Sequence, residues 1–163
     1  MSTNASPKGY HSVTPTLIIR DAAAAIEFYK RVFDAAEIGR VDGPDGKVMH
    51  AEIRIGDSIV MLGEENVEWG MKSPLSLDGV PSSLYLYVED ADKSFERAVE
   101  AGASVRFPLE DTFWGDRFGK VADPFGHEWG LATRVREVSK EELRRAAQEW
   151  MTKAGQAGQE TKA

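Results

Sequence analysis

The chain has 163 residues, 27 acidic against 20 basic side chains, a formal net charge of −7 and no cysteine. Its length fits one domain with a sizeable core. Its charge argues against nucleic acid as a partner, because phosphate binding needs a basic surface. The missing thiols remove disulfides, thiolate chemistry and thiolate metal ligands. No stretch has the apolar length of a signal peptide or a membrane span, so a soluble cytoplasmic protein with no membrane partner is expected.

Residues 1–9 are small and polar and read as a disordered arm. A strand is expected from about Val13 to Ile19. Asp21 then stands as the N-cap of a helix over Ala22–Phe33 that gathers Ile26, Tyr29, Val32 and Phe33 on one side. A short strand near Glu37–Val41 leads into the turn Asp42-Gly43-Pro44-Asp45-Gly46. The strand Lys47–Ile55 alternates. Met49, Ala51, Ile53 and Ile55 make its apolar face; Val48, His50, Glu52 and Arg54 make a mostly polar one. Gly56-Asp57 turns the chain into a strand over Ser58–Leu62.

Residues 64–81 carry prolines and glycines with little periodicity and read as a linker. A second set of elements follows. Ser83, Tyr85 and Tyr87 face opposite to Leu84, Leu86 and Val88, and Asp90 caps a helix that Gly102 stops. Strands are expected near Ala103–Phe107, Phe118–Ala122 and Glu128–Thr133. The last two are joined by Asp123-Pro124-Phe125-Gly126, a type I turn with glycine in its final position. Ser139-Lys140-Glu141-Glu142 is a capping box that opens a helix to about Met151, and the residues after it are expected to fray.

The two sets run in parallel. Asp21 and Asp90, like Leu62 and Leu131, are separated by the same 69 positions, so the chain is a duplicated strand–helix–three-strand module. With the words Trp114-Gly115-Asp116-Arg117-Phe118-Gly119 and Asp123-Pro124-Phe125-Gly126-His127-Glu128-Trp129, this order resembles the vicinal oxygen chelate superfamily of glyoxalases, bleomycin- and fosfomycin-resistance proteins and extradiol dioxygenases. The words are most similar to its PhnB-like branch. The resemblance implies an α+β fold: tandem βαβββ modules whose curved mixed sheets surround a central cleft, plus a C-terminal helix. It implies one domain over 10–134, with module one at 10–64, a linker at 65–81 and module two at 82–134. The segment 135–163 holds the last helix and tail. It also implies a homodimer.

Metal-dependent members place a His or Glu ligand on the first and last strand of each module. Carried over, those positions give Thr14, Ser83, Met61 and Gly130, a set that cannot hold a catalytic divalent ion, so no metal and no cofactor are expected. The three histidines lack the spacing to converge, and His127 reads as a hydrogen-bonding partner of its own turn. Strand parity puts Thr16, His50, Glu52, Tyr85, Tyr87 and Glu128 on the faces that line the implied cleft. Trp114 and Arg117 lie on the segment that could close over a ligand, with Arg117 as an anchor for a planar anion. The expected function is small-molecule binding of the bleomycin-resistance type. The alternatives are a metal-dependent or His-assisted lyase, isomerase or dioxygenase, and an interaction module with a vestigial cleft.

Overall fold

The structure, a computed structural model, describes residues 6–160 and the side chains of residues 6–153. The first five residues of the expected arm and the last three of the tail lie outside the described residues. Module one is β1 (Thr16–Ile19), α1 (Ala22–Phe33), β2 (Ala36–Asp42), β3 (Val48–Ile55) and β4 (Ser58–Glu64). A 3-10 turn at Val67–Trp69 and the short α2 (Pro74–Leu77) connect it to module two: β5 (Ser83–Tyr87), α3 (Ala91–Glu100), β6 (Ser104–Asp111), β7 (Asp116–Ala122) and β8 (Glu128–Arg134). The long α4 (Lys140–Glu160) follows. No helix among the described residues is long and apolar enough to cross a membrane.

The duplication extends to hydrogen-bond detail. The sheets have the orders β1-β4-β3-β2 and β5-β8-β7-β6, each with one parallel pair and two antiparallel ones. Asp21 and Asp90 both accept from a first-turn N–H of their helix, from Ala24 and Lys93. Each module's final strand also reaches back to the start of its own helix. Glu64 accepts from the N–H groups of Asp21 and Ala22 at 2.9 Å, and Thr133 Oγ1 accepts from Ala91 N–H at 2.8 Å. Those donors have no partner inside the helix, so a strand end completes them. An extra residue bulges at the matching place in the two outer strands, Ile38 in β2 and Arg106 in β6.

A second bulge corrects the sequence reading of β3. Val41 pairs with His50 but Asp42 pairs with Val48, so Met49 is the unpaired extra residue. Alternation breaks there. Val48 is fully buried and Met49 is 60 % exposed, the reverse of the expected faces. Beyond the bulge Ala51, Ile53 and Ile55 are buried as expected. β1 begins at Thr16 rather than Val13, which is exposed.

Both helices lie on the inner faces of the sheets, and the two modules share one core there. Trp129 on β8 sits 4.7 Å from Phe33 and 5.3 Å from Tyr29, ring centre to ring centre, both rings belonging to α1. At its centre is Asp123, 5 % exposed. Its Oδ1 accepts from the N–H groups of Phe125 and His127, holding the turn, and its Oδ2 accepts from Trp129 Nε1 and, at 2.7 Å, from Tyr29 Oη of the other module. His127 does not bond its own turn through the ring. Its Nε2 lies 3.1 Å from Ile18 O on the free edge of β1.

The connecting segment is pinned by Glu65, whose carboxylate accepts from Arg20 Nε, Ser73 N–H and Oγ, and Ser76 Oγ. Those donors, Ser76 foremost and Arg20 next, hold the Glu65 carboxyl down to about 2. α4 starts as predicted, with Glu142 N–H donating to Ser139 Oγ, although the Glu142 carboxylate pairs with Arg136 instead of reaching back.

Three outcomes follow from these contacts. Tyr29→Phe removes one hydrogen bond to a charged acceptor and is expected to cost about 1.5–3 kcal/mol in denaturant unfolding. Asp123→Ala strands four buried donors and is expected to cost more than Tyr29→Phe; equal losses would show that Asp123 does not organise them. Because the folded Glu65 pKa lies below its ordinary 4.5, its stabilisation is present above about pH 5 and is lost as pH falls toward 2. Unfolding measured across that window should fall less steeply in Glu65→Gln than in the native chain.

Candidate functional site

Each sheet turns its second face away from the shared core, and the candidate site residues divide between these two outer faces. On module one, β1, β3 and β4 present Thr16, His50, Glu52 and Met61. Thr16 pairs with Met61 across the parallel ladder, and its hydroxyl lies 3.8 Å from the Met61 sulfur. Glu52 also pairs with Met61, and its carboxylate lies 3.3 Å from His50 Nε2. Tyr10, on the segment before β1, reaches the same carboxylate. Its hydroxyl, then His50, holds Glu52 below the usual carboxyl range, and Glu52 in turn raises the Tyr10 phenol. Sequence parity could not find Tyr10, because it belongs to no strand.

On module two the outer face is aromatic. Tyr85 stacks on Phe118 at 5.1 Å with the rings 7° from parallel, and Tyr87 lies 5.2 Å from Tyr85. Trp114 stands 5.7 Å from Phe118 and points its Nε1 at Tyr85 Oη, 3.4 Å away. The tight β6–β7 connection positions it. Thr112 N–H donates to Asp116 O, and Gly115 takes φ +96° with its carbonyl bonded by Val135 and Arg136. A Cβ at Gly115 would stand 2.5 Å from Arg136 O, so only glycine fits there.

The polar centre of this face is Asp116, 1 % exposed, which the sequence reading did not single out. Its Oδ2 accepts from Tyr85 Oη at 2.8 Å and Tyr87 Oη at 3.1 Å. Its Oδ1 has no well-angled hydrogen bond but lies 3.2 Å from Arg134 Nη1, which itself donates to Trp114 O. Burial first, and then the Asp116 carboxylate, push the Tyr85 phenol up to about 12, and Tyr87 is raised for the same reasons. The signal for Asp116 was its strand parity with Phe118. Reading β7 from Phe118 instead of Asp116 hid it.

Arg117 is a correction. It stands on the other face of β7 from Asp116 and Phe118. Its Nε and Nη2 grip the Asp92 carboxylate of α3 at 3.1 and 2.8 Å, and Nη1 lies 3.5 Å from Asp111. It does not join Tyr85 and Tyr87, and the anion anchor expected of it loses its geometry. Glu128 lies on the outer face of β8, held by Lys120 at 3.4 Å and Arg106 at 3.7 Å. No hydrogen bond or ion pair among the described residues links the module-one face to the module-two face. An open groove of about 1170 Å³ runs instead between Arg54–Ser58 of module one and the free edge of β5. It touches the aromatic face only at Tyr85 and Tyr87, and its remaining walls are mostly charged surface, so the chemistry sits on the sheet face.

At the positions where the family's enzymes carry metal ligands this chain has Thr14, Met61, Ser83 and Gly130. Thr14 precedes β1 and donates to His11 O. Ser83 faces Glu128, and Tyr85 faces Gly130. At Gly130 a Cβ would stand 2.8 Å from Phe118 and 3.2 Å from Tyr85, so stacked rings fill the space a ligand side chain would need. Among the described residues no three His, Asp or Glu side chains converge. This donor set does not fit a divalent ion bound in the family manner.

The description "Glyoxalase/Bleomycin resistance protein/Dioxygenase superfamily" fits residues 10–131 by family model. An uncharacterised protein of Mycobacterium bovis is 49 % identical over 149 residues, covering 90 % of this chain and 95 % of its own. The crystal structure of TioX from Micromonospora superposes with a TM-score of 0.58 at 27 % identity, over 79 % of this chain and all of that one. A Bacillus cereus PhnB protein, described as a putative 3-demethylubiquinone-9 3-methyltransferase, gives 0.60 at 21 % identity over 76 % of this chain and 99 % of its own, a likeness of fold alone.

Gly130→Ala tests the stacked arrangement. Its methyl group must push Phe118 off Tyr85, at an expected cost of about 1–3 kcal/mol. The near-ultraviolet circular dichroism of the tyrosines should change with it; an unchanged spectrum and stability would mean the rings are not packed there.

Proposed function

Because the chain belongs to the glyoxalase/bleomycin resistance protein/dioxygenase superfamily, we propose that it binds a small molecule with an aromatic or planar apolar part, without the metal of the family's enzymes. The observation that carries this reading is the module-two outer face. Tyr85 and Tyr87 remain 46 % and 58 % exposed although they sit on an ordered aromatic stack beside a buried carboxylate. Half-exposed rings around a few fixed polar groups are the usual furniture of a ligand site.

One chain supplies only half of a cleft. The module-one face, with Thr16, His50 and Glu52, is turned away from the module-two face with Tyr85, Tyr87, Trp114 and Glu128. A second copy set face to face would complete two equal clefts, which supports a homodimer with isologous contacts. In that cleft His50 and Glu52 would stand across the ligand from the tyrosines. A cytoplasmic location fits a chain without cysteine.

The His50–Glu52 contact favours one second reading, His-assisted proton transfer on the bound molecule. It separates from the first by experiment. A binding protein raises the melting temperature with its ligand and returns the ligand unchanged, whereas the enzyme converts it and loses that conversion in His50→Ala.

In a thermal-shift screen against aromatic small molecules, hits are expected to stabilise the native protein and Arg117→Ala alike, and to lose their effect in Tyr87→Ala. A hit that needs Arg117 but not Tyr87 would refute the assignment to this face. Light scattering should give a dimer mass at micromolar concentration. A monomer would remove the shared cleft, and one tightly held divalent ion per chain in elemental analysis would remove the metal-free reading.

A further inference from the structure

The module-two face has an unusual property: the hydrogen-bond donors of its tyrosines and of Trp114 are all directed inward. Tyr85 and Tyr87 both give their hydroxyl protons to Asp116 Oδ2, and Trp114 Nε1 is directed at the Tyr85 oxygen. The cations nearby are also engaged. Arg134 donates to Trp114 O and neighbours Asp116, Lys120 and Arg106 flank Glu128, and Arg117 faces Asp92 on the far side of the strand. What the face still offers a ligand is the lone pairs of two phenol oxygens, the negative faces of exposed rings, and a carboxylate behind them. A phenol oxygen that has given its proton inward can only accept.

Resting on the small-molecule reading above, we infer that this face selects a ligand whose anchoring group is a hydrogen-bond donor with positive charge, a protonated amine or amidine carried on an aromatic or apolar frame. The cation lies against the Tyr87 and Tyr85 rings and donates to their hydroxyl oxygens. Asp116 acts through them as a positioning residue. It fixes both phenol protons inward and increases the negative charge on the phenol oxygens. A carboxylate or phosphonate ligand meets the opposite conditions: acceptors against the phenol oxygens, with the nearby cations already facing Asp116 and Glu128. The net charge of −7 adds a long-range field of the same preference. The ring contacts alone favour the cation by an amount worth about tenfold in affinity.

The experiment is calorimetric titration with three probes of one shape: phenethylammonium, the neutral phenethyl alcohol and 3-phenylpropanoate. The native protein is expected to bind the ammonium more than about tenfold more tightly than the carboxylate, with the alcohol between them. Tyr85→Phe/Tyr87→Phe keeps the rings and removes both acceptors, so it should weaken the ammonium severalfold and leave the carboxylate unchanged. Asp116→Asn can donate to one phenol oxygen and turn that phenol's proton outward, so it should bring the ammonium and carboxylate affinities together. Should Asp116→Asn fail to fold, the double tyrosine variant alone decides. Equal or tighter binding of the carboxylate by the native protein overturns the inference, as does an ammonium preference that is undiminished in the double variant. In both cases the small-molecule reading stands. No binding of any of the three probes overturns both.

Discussion

The structure depends on one buried carboxylate. Asp123 accepts two backbone N–H groups of its own turn, the indole N–H of Trp129 and the phenol of Tyr29. A carboxylate in a low-dielectric core is costly unless such donors satisfy it, and satisfied it fixes everything that donates. These bonds hold the turn and the Trp129 ring in place and keep α1 of module one against β8 of module two. Because the modules meet through their inner faces, their outer faces are left free, and those are the surfaces on which ligand chemistry can be arranged.

Duplication explains both the likeness and the difference of those surfaces. Glu64 and Thr133 do the same work at the same place, each capping its own module's helix from the last strand. The outward positions have diverged. Glu52 faces Met61 in one sheet where Lys120 faces Gly130 in the other, and Thr16 stands opposite Met61 where Tyr85 stands opposite Gly130. Removing the side chain at Gly130 makes room for the Tyr85–Phe118 stack. The same substitution that deprives the position of a donor atom builds the aromatic plate.

The elements and the duplication were legible because their causes are local: an aspartate before each helix, alternation in the strands, and the proline and glycine of the turn. The outer-face placement of Tyr85, Tyr87, His50 and Glu52 followed from a period of two. The misreadings also have local causes. A single bulged residue, Met49, shifts the parity of β3 and exchanges it with Val48. β7 begins two residues before Phe118, which hid Asp116 and left Arg117 to be judged by its charge. That Arg117 closes on Asp92, 25 positions earlier, depends on where α3 packs, and no pattern along the chain contains that information. Tyr10 and the long reach of His127 to Ile18, across 109 positions, are hidden for the same reason.

The matching bulges at Ile38 and Arg106 bear on a different problem. β2 and β6 each form one edge of their sheet, with a row of backbone groups that a strand from another molecule could continue. An inserted residue interrupts that row and twists it, so an incoming strand would lose register after a few bonds. A chain built from two copies of one sheet carries twice the usual number of such edges. By keeping the same irregularity in both, it breaks the row of backbone groups that open-ended stacking would follow.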